Sequence, residues 1–192
     1  MIIRDADQHD TPYILIFYFF YITDTTVTFE NEIPTVQEFY ERVAQYQLQF
    51  PWLVAEASTG EIAGYAYASK YRERIAYQWV VEASVYIHEK YKGKGIGQKL
   101  YHALFDILRL QGIYRVYAVI GLPNDESVRF HEKMGFTWFA TYKSTGYKSG
   151  QWRDTGWWEL VLAEPKDNPE PPQRYPQLEK QNVEEIFKRY SS

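Results

Sequence analysis

Cysteine is absent from the 192-residue chain, which removes disulfides, thiolate metal sites and a cysteine nucleophile in one step. Charge of either sign is not in large excess: the net charge is −4, so no general attraction to nucleic acid is expected. A membrane-spanning run is also missing. The apolar stretch Tyr13–Ile22 (YILIFYFFYI) has ten residues, about half of the ~20 that a spanning helix needs. It follows Asp5, Asp7 and Asp10 rather than a basic segment, so it does not read as a signal peptide. A buried helix is the expectation, in a cytoplasmic protein with no membrane partner. What the chain has in abundance is aromatic side chains, 18% of the total, which suggests large packed surfaces and a subunit interface. Its length fits one domain with a core able to fold unaided.

Taken in order, Ile2–Arg4 reads as a strand, and Asp10-Thr11-Pro12 as a helix start with a capping residue and an early proline. Thr35-Val36-Gln37-Glu38 is a capping-box pattern opening a helix to Gln47. Strands are expected at Trp52–Ala57 and Ile62–Ser69, joined by the turn Ser58–Glu61, and again over Tyr77–Ile87. Leu100, Leu104, Ile107 and Leu108 form a helical stripe ended by Gly112. A strand at Arg115–Ile120, a helix to Met134, and strands at Phe136–Tyr142 and Trp157–Leu162 follow, with Thr145–Gly156 as a long hairpin loop. Five prolines between Pro165 and Pro176 mark a linker or extended arm, and a short helix is expected at Val183–Tyr190. The division is one domain over 1–163 and a proline-rich tail over 164–192.

Chemistry concentrates in Glu82–Leu104, a strand, a glycine turn and an amphipathic helix. Gly93, Gly95 and Gly97 let backbone amides approach an anion at the helix N-terminus, and Lys90, Lys92 and Lys94 add positive charge. No Gly-Lys-Ser/Thr closes the loop, and Leu100 stands where a dinucleotide fingerprint needs its third glycine. By itself the turn says only that an anion binds, and a solvated turn is its alternative.

Lys92-Gly93-Lys94-Gly95-Ile96-Gly97 resembles the acetyl-CoA loop of the GNAT N-acetyltransferase superfamily, with Lys92 in place of the usual Gln or Arg. The run from Asn124 through the helix to Gly135-Phe136 resembles its second motif. PWLVAE (51–56), AYQWVVEASVY (76–86), AVIGLPNDESVR (118–129) and GYKSGQWRDTGWW (146–158) resemble the phosphinothricin and methionine sulfoximine acetyltransferase branch.

That resemblance implies an α/β fold whose mixed, largely antiparallel sheet is flanked by helices and splays beside the loop. It implies acetyl-CoA as acetyl donor, no metal, a small-molecule amine acceptor and a homodimer. Val85, Tyr86 and Ile87 would supply amides along the donor, the 92–97 loop would hold its pyrophosphate, and Asn124 would lie near its pantetheine arm. Glu82 matches the proposed general base and His131 the position of the group that protonates the departing thiolate. Arg72, Arg74 and Tyr77 match the acceptor segment, where guanidinium forks suit carboxylate or phosphinate, and Phe29 would wall the pocket. Direct attack within a ternary complex is the implied route. A different amine acceptor (another amino acid, a polyamine or a protein N-terminus) and an acyl-CoA-binding module without turnover stand as alternatives.

Overall fold

A computed structural model describes residues 1–191. Seven strands form one sheet: β1 (Ile2–Asp5), β2 (Trp52–Glu56), β3 (Ile62–Lys70), β4 (Val80–Ile87), β5 (Arg115–Leu122), β6 (Thr137–Lys148) and β7 (Gln151–Val161). Their order across the sheet is β1-β2-β3-β4-β5-β7-β6. The helices are α1 (Thr11–Thr23), α2 (Val36–Gln47), α3 (Ile96–Gln111), α4 (Asp125–Lys133) and α5 (Lys180–Tyr190). The expected mixed and mainly antiparallel sheet is present, and β4–β5 is its parallel pair.

Strand alternation sorts the β4 side chains onto two faces. Val81 and Ala83 pack with Leu100, Leu104, Ile107 and Leu108 of α3, the stripe read from the sequence. Tyr86 goes to the other face, where Tyr18, Tyr21 and Phe39 of α1 and α2 meet Trp52 and Tyr65. The α2 start forms its capping box: Thr35 Oγ1 accepts from the Glu38 N–H (3.2 Å) and Glu38 accepts from the Thr35 N–H (2.8 Å). Asp10 precedes α1 but makes no side-chain cap. Its carboxylate instead takes both terminal nitrogens of Arg4, at 2.7 and 2.8 Å.

Three expectations need correction. Tyr13–Ile22 is helical but not buried all round, since Tyr13, Ile16, Phe19 and Phe20 stay exposed; only one face of the helix meets the sheet. Thr145–Gly156 is not a loop. β6 and β7 run through it to a tight turn at Ser149-Gly150, and register shifts at Trp138/Ala140 and Tyr142/Gly146 hide the two-residue period. β4 begins at Val80, because Ile75–Tyr77 closes a 3-10 turn first.

The segment after Ala163 lies against the domain. Trp79 Nε1–H donates to the Glu170 carbonyl (2.9 Å), and the Gln173 and Tyr175 N–H groups donate to Gln111 (2.9 Å) and Gln49 (3.0 Å) carbonyls. Leu178 and α5 residues Val183 and Ile186 are buried in the α3-side core. No helix among the described residues is long and apolar enough to cross a membrane.

Candidate active site

The site begins where the sheet opens. β4 and β5 pair only at Val80↔Arg115, Val81↔Val116 and Glu82↔Tyr117. Beyond that rung β4 stays with β3 as far as Ile87, and β5 stays with β7 as far as Leu122. A fork results, with backbone groups of two strands turned into it and in need of partners. The His88 N–H donates to Ala63 on β3 (2.9 Å). Antiparallel alternation then sends the N–H and C=O of Tyr86 toward β3, and those of Val85 and Ile87 toward the fork. The Ile87 carbonyl is already taken by the Tyr21 hydroxyl, which donates to it at 2.8 Å.

A cleft of about 530 Å³ occupies the fork and the start of α3. Val85, Ile87, Lys92, Gly93, Gly95, Ile96, Gly97 and Asn124 all line it, so most of the expected donor-binding residues are gathered in one place. Gly93 and Gly95 hold φ of +73° and +76°, the left-handed region that glycine alone enters without steric cost. Gly95 is the residue before α3, so the unpaired N–H groups of the first helical turn face outward there. Gly97 serves packing instead: a Cβ would lie 3.2 Å from Phe130 Cε2 on α4. The cradle of free amides, flanked by Lys92, fits the pyrophosphate of acetyl-CoA. Lys92 is itself paired with Glu89 at 2.7 Å. Asn124 spends its carbonyl oxygen capping α4, accepting from the Ser127 N–H (3.1 Å).

Two expected members stand apart. Lys94 is exposed, with its ammonium 5.0 Å from the Tyr91 ring centroid. Tyr86 is buried, stacked on Tyr65 at 5.1 Å, with its backbone committed to β3. Sequence reasoning missed Phe20, Tyr21, Thr25 and Val27, which bring the end of α1 and the following loop to the cleft. Their one visible signal was hydroxyl-bearing Tyr21 and Thr25 at helical spacing within or beside an apolar run.

Glu82 sits at the last rung of the fork, half-buried, on the α1–α2 face. Burial pushes its carboxyl above the ordinary range, and Arg72 pulls it partly back. Arg72 lies 4.8 Å from the Tyr71 ring centroid. That ring stands edge-on to Tyr77 (5.8 Å) and Tyr117 (4.9 Å), tying the segment expected to face the acceptor to the strand beside Glu82. Arg72 and Arg74 both line a second, smaller cleft of about 280 Å³, with Arg174 and Pro172 of the C-terminal segment. Phe29 closes the far end of this face, its Cζ 3.1 and 2.7 Å from where Cβ atoms on Gly121 and Gly146 would stand. Among the described residues no His, Asp or Glu cluster has the makings of a metal centre.

His131 is the residue expected to protonate the departing thiolate. It borders the cleft but is only 6% exposed. Its Nδ1 lies 2.8 Å from the Ser127 carbonyl, which only accepts, so Nδ1 carries the proton. Nε2 lies 3.1 Å from the Tyr101 hydroxyl and accepts from it in the neutral ring. Burial lowers the pKa, against the opposing Ser127 bond. In the neutral ring the Nδ1–H is held by the Ser127 carbonyl.

Comparison with known proteins agrees with this architecture. The acetyltransferase (GNAT) domain family matches residues 3–157. A phosphinothricin N-acetyltransferase of Streptomyces viridochromogenes is 42% identical over 157 residues, 82% of this chain and 85% of the relative. An L-methionine sulfoximine/L-methionine sulfone acetyltransferase of Pseudomonas aeruginosa is 33% identical over 171 residues, 87% of this chain and 98% of the relative. A crystal structure of a phosphinothricin acetyltransferase from Sinorhizobium meliloti in complex with AcCoA superposes with TM-score 0.82 at 32% identity, covering 90% and 97% of the two chains. With its forked sheet, glycine-cradled helix start and matched length, the chain belongs to the GNAT acetyltransferase family and is an acetyl-CoA-dependent N-acetyltransferase.

Proposed function

We propose that the acceptor is the α-amine of a small amino acid of the phosphinothricin or methionine sulfoximine kind, and that Glu82 is the general base. The observation that carries this reading is the coincidence of Glu82 with the last rung of the β4–β5 fork. Acetyl-CoA supplies the activated acetyl carbonyl. The amides at Gly95–Gln98 with Lys92 hold its pyrophosphate, and the Val85 and Ile87 backbone groups pair along its arm.

An ammonium has no lone pair to attack with, so a proton must leave before the bond forms. Glu82 takes that proton directly or through one water, and its raised pKa brings its basicity closer to neutral pH. Arg72 supplies positive charge on the acceptor side, and Tyr77 and Phe29 wall the approach. With no cysteine in the chain, attack in a ternary complex is the direct route. His131 is a positioning residue: its Tyr101 bond ties α4, and hence Asn124 and the cleft edge, to α3, while its Ser127 bond lies within α4.

The reading extends to a homodimer, supported by exposed Trp138, Phe139, Tyr142 and Trp152 on the β6–β7 hairpin, and to the cytoplasm, where acetyl-CoA is at hand. Residues 1–163 form its catalytic domain and the segment from 164 an attached brace. The deciding experiment is CoA release from acetyl-CoA with a panel of phosphinothricin, methionine sulfoximine, other amino acids, polyamines and a peptide N-terminus. Turnover confined to the polyamines or the peptide would overturn the acceptor class. Tight acetyl-CoA binding without turnover of any amine would leave a binding module.

A further inference from the structure

The second cleft, of about 280 Å³, shares no lining residue with the donor cleft. It opens at Val80, where β4 begins, whereas the glycine cradle follows the end of that strand. Two separate stretches of chain wall it. Residues 70–80 bring Lys70, Arg72 and Arg74 to one side, and the segment after Ala163 brings Arg174 to the other. Glu73 is the one acid on the lining, and it is paired with Lys70 at 3.2 Å. Among the described residues, none of the three guanidinium groups is ion-paired with a carboxylate. In a chain of net charge −4, this is a local excess of positive charge that draws anions. Phe50, Val80 and Pro172 add apolar wall, which limits water and strengthens charge-assisted bonds made there.

Backbone bonds fix both walls. On one side the Gln173 and Tyr175 N–H groups donate to the Gln111 (2.9 Å) and Gln49 (3.0 Å) carbonyls. The Gln111 side-chain amide, on a residue only 2% exposed, donates in turn to the Gln49 (2.7 Å) and Gln173 (2.8 Å) carbonyls. Arg174 therefore sits between two anchored neighbours. On the other side the Arg74 carbonyl accepts from the Tyr77 N–H (3.0 Å), closing the 3-10 turn that carries Arg74. Arg72 links the cleft to the reaction. It comes shortly after Ser69, the Cα partner of Glu82 on β3. Its guanidinium lies 4.8 Å from the Tyr71 ring centroid, and that ring meets Tyr117 of the Glu82 rung at 4.9 Å.

We propose that the second cleft binds a small doubly charged oxyanion, a phosphate or a dicarboxylate, between Arg74 and Arg174, and that the bound anion draws Arg72 away from the acceptor. Guanidinium forks suit both kinds of oxyanion. The competition for Arg72 rests on the acceptor-side role proposed for it above; the binding does not. The anion then acts as an inhibitor that lowers acceptor affinity. The C-terminal segment, by contributing Arg174, makes the catalytic domain sensitive to it.

The test is calorimetry on the full chain with CoA saturating, so that the donor cradle is filled, against sodium chloride of equal ionic strength. Inorganic phosphate and succinate are titrated separately, which tells a phosphate site from a dicarboxylate site. One of them should fill a single site with Kd of about 1 mM or tighter, and Arg174→Met should weaken it about tenfold or more. In kinetics at saturating acetyl-CoA, the same anion should raise KM for methionine sulfoximine in the wild type. Arg174→Met should keep that KM within about twofold of wild type without the anion, and should no longer respond to it. No saturable binding of either probe overturns the site, as does binding that Arg174→Met leaves unaltered. Inhibition that persists in this variant puts the anion in the acceptor pocket itself, and binding that leaves KM unmoved overturns the competition for Arg72. If the wild type turns over no amino acid, the acceptor reading fails and calorimetry still decides the site. Melting verifies that the variant is folded, and Arg174→Lys, which should keep part of the affinity, carries the comparison if the Met variant is not.

Discussion

Glu82 and Tyr117 are Cα partners on the last rung of the parallel ladder, and β4 and β5 part immediately beyond them. The proposed general base thus stands where the sheet stops hydrogen-bonding to itself and starts to offer its backbone to a ligand. Glu82→Gln keeps the shape and removes the basicity, and its kcat/KM should fall about 10²- to 10⁴-fold. Acetyl-CoA affinity, measured by calorimetry, should not change. Turnover within a few-fold of wild type would remove Glu82 from the mechanism.

Burial raises the Glu82 pKa and Arg72 opposes the rise. A general base works only when ionised, so in the proposed role of Glu82 the acid limb of kcat/KM should lie above the ordinary glutamate value of about 4.3. Arg72→Met removes the cation that favours the carboxylate, and the limb should move to still higher pH. An acid limb that stays in place in this variant would show that Arg72 does not act on Glu82.

The same shift has a stability consequence of opposite sense to the activity. The folded state holds the Glu82 proton more tightly than the unfolded chain does. The stability this contributes is complete below the unfolded pKa and is lost as pH rises through the raised one. Gln does not titrate, so Glu82→Gln should melt above wild type at pH 8, and the gap should close toward pH 4. Equal melting temperatures at both pH values would contradict burial of the carboxylate.

The donor cradle depends on Gly95 at φ +76°. Alanine there costs about 1–2 kcal/mol in the left-handed region and places a methyl group beside the amides proposed to face phosphate. Gly95→Ala should raise the acetyl-CoA KM by about tenfold or more, with acceptor KM little altered. Calorimetric affinity for CoA alone should fall in parallel, and unchanged CoA binding would put the pyrophosphate elsewhere.

How much of this was legible in the sequence depended on whether the signal was local. The Thr35–Glu38 box, the α3 stripe and the glycine turn are short-range patterns, and each appears where it was read. The β6–β7 pairing was hidden by two register shifts and three glycines. Tyr21, Phe20 and Val27 reach the cleft through tertiary placement of α1, which an all-apolar run cannot announce because it shows no preferred face. His131 lines the cleft, but the Tyr101 and Ser127 bonds of its ring come from 30 and 4 residues away and carry no motif.

The C-terminal segment is hydrogen-bonded to the domain at the Trp79 indole N–H and at the Gln111 and Gln49 carbonyls. The Trp79 carbonyl in turn accepts from the Tyr114 and Arg115 N–H groups (2.9 and 3.3 Å), just below the parallel ladder. Ending the chain at Ala163 would uncover the core that Leu178, Val183 and Ile186 cover and should lower the melting temperature well beyond the roughly 1 kcal/mol expected from Trp79→Phe alone. A truncated protein as stable as the full chain would show that the segment merely lies on the surface.

The last expectation concerns Tyr101, which donates to His131 Nε2 at 3.1 Å from a fully buried position. Replacing it with Phe removes that donor and leaves Nε2 unpaired, at a cost of about 1–3 kcal/mol. If His131 only positions α4, Tyr101→Phe and His131→Gln should lower kcat less than about tenfold and leave the basic limb of the pH profile where it was. If the imidazole instead delivers a proton to the leaving thiolate, His131→Gln should abolish that limb, and Tyr101→Phe should displace it. The pH profile of kcat for the two variants, read beside wild type, separates a ring that holds the cleft edge from one that moves a proton.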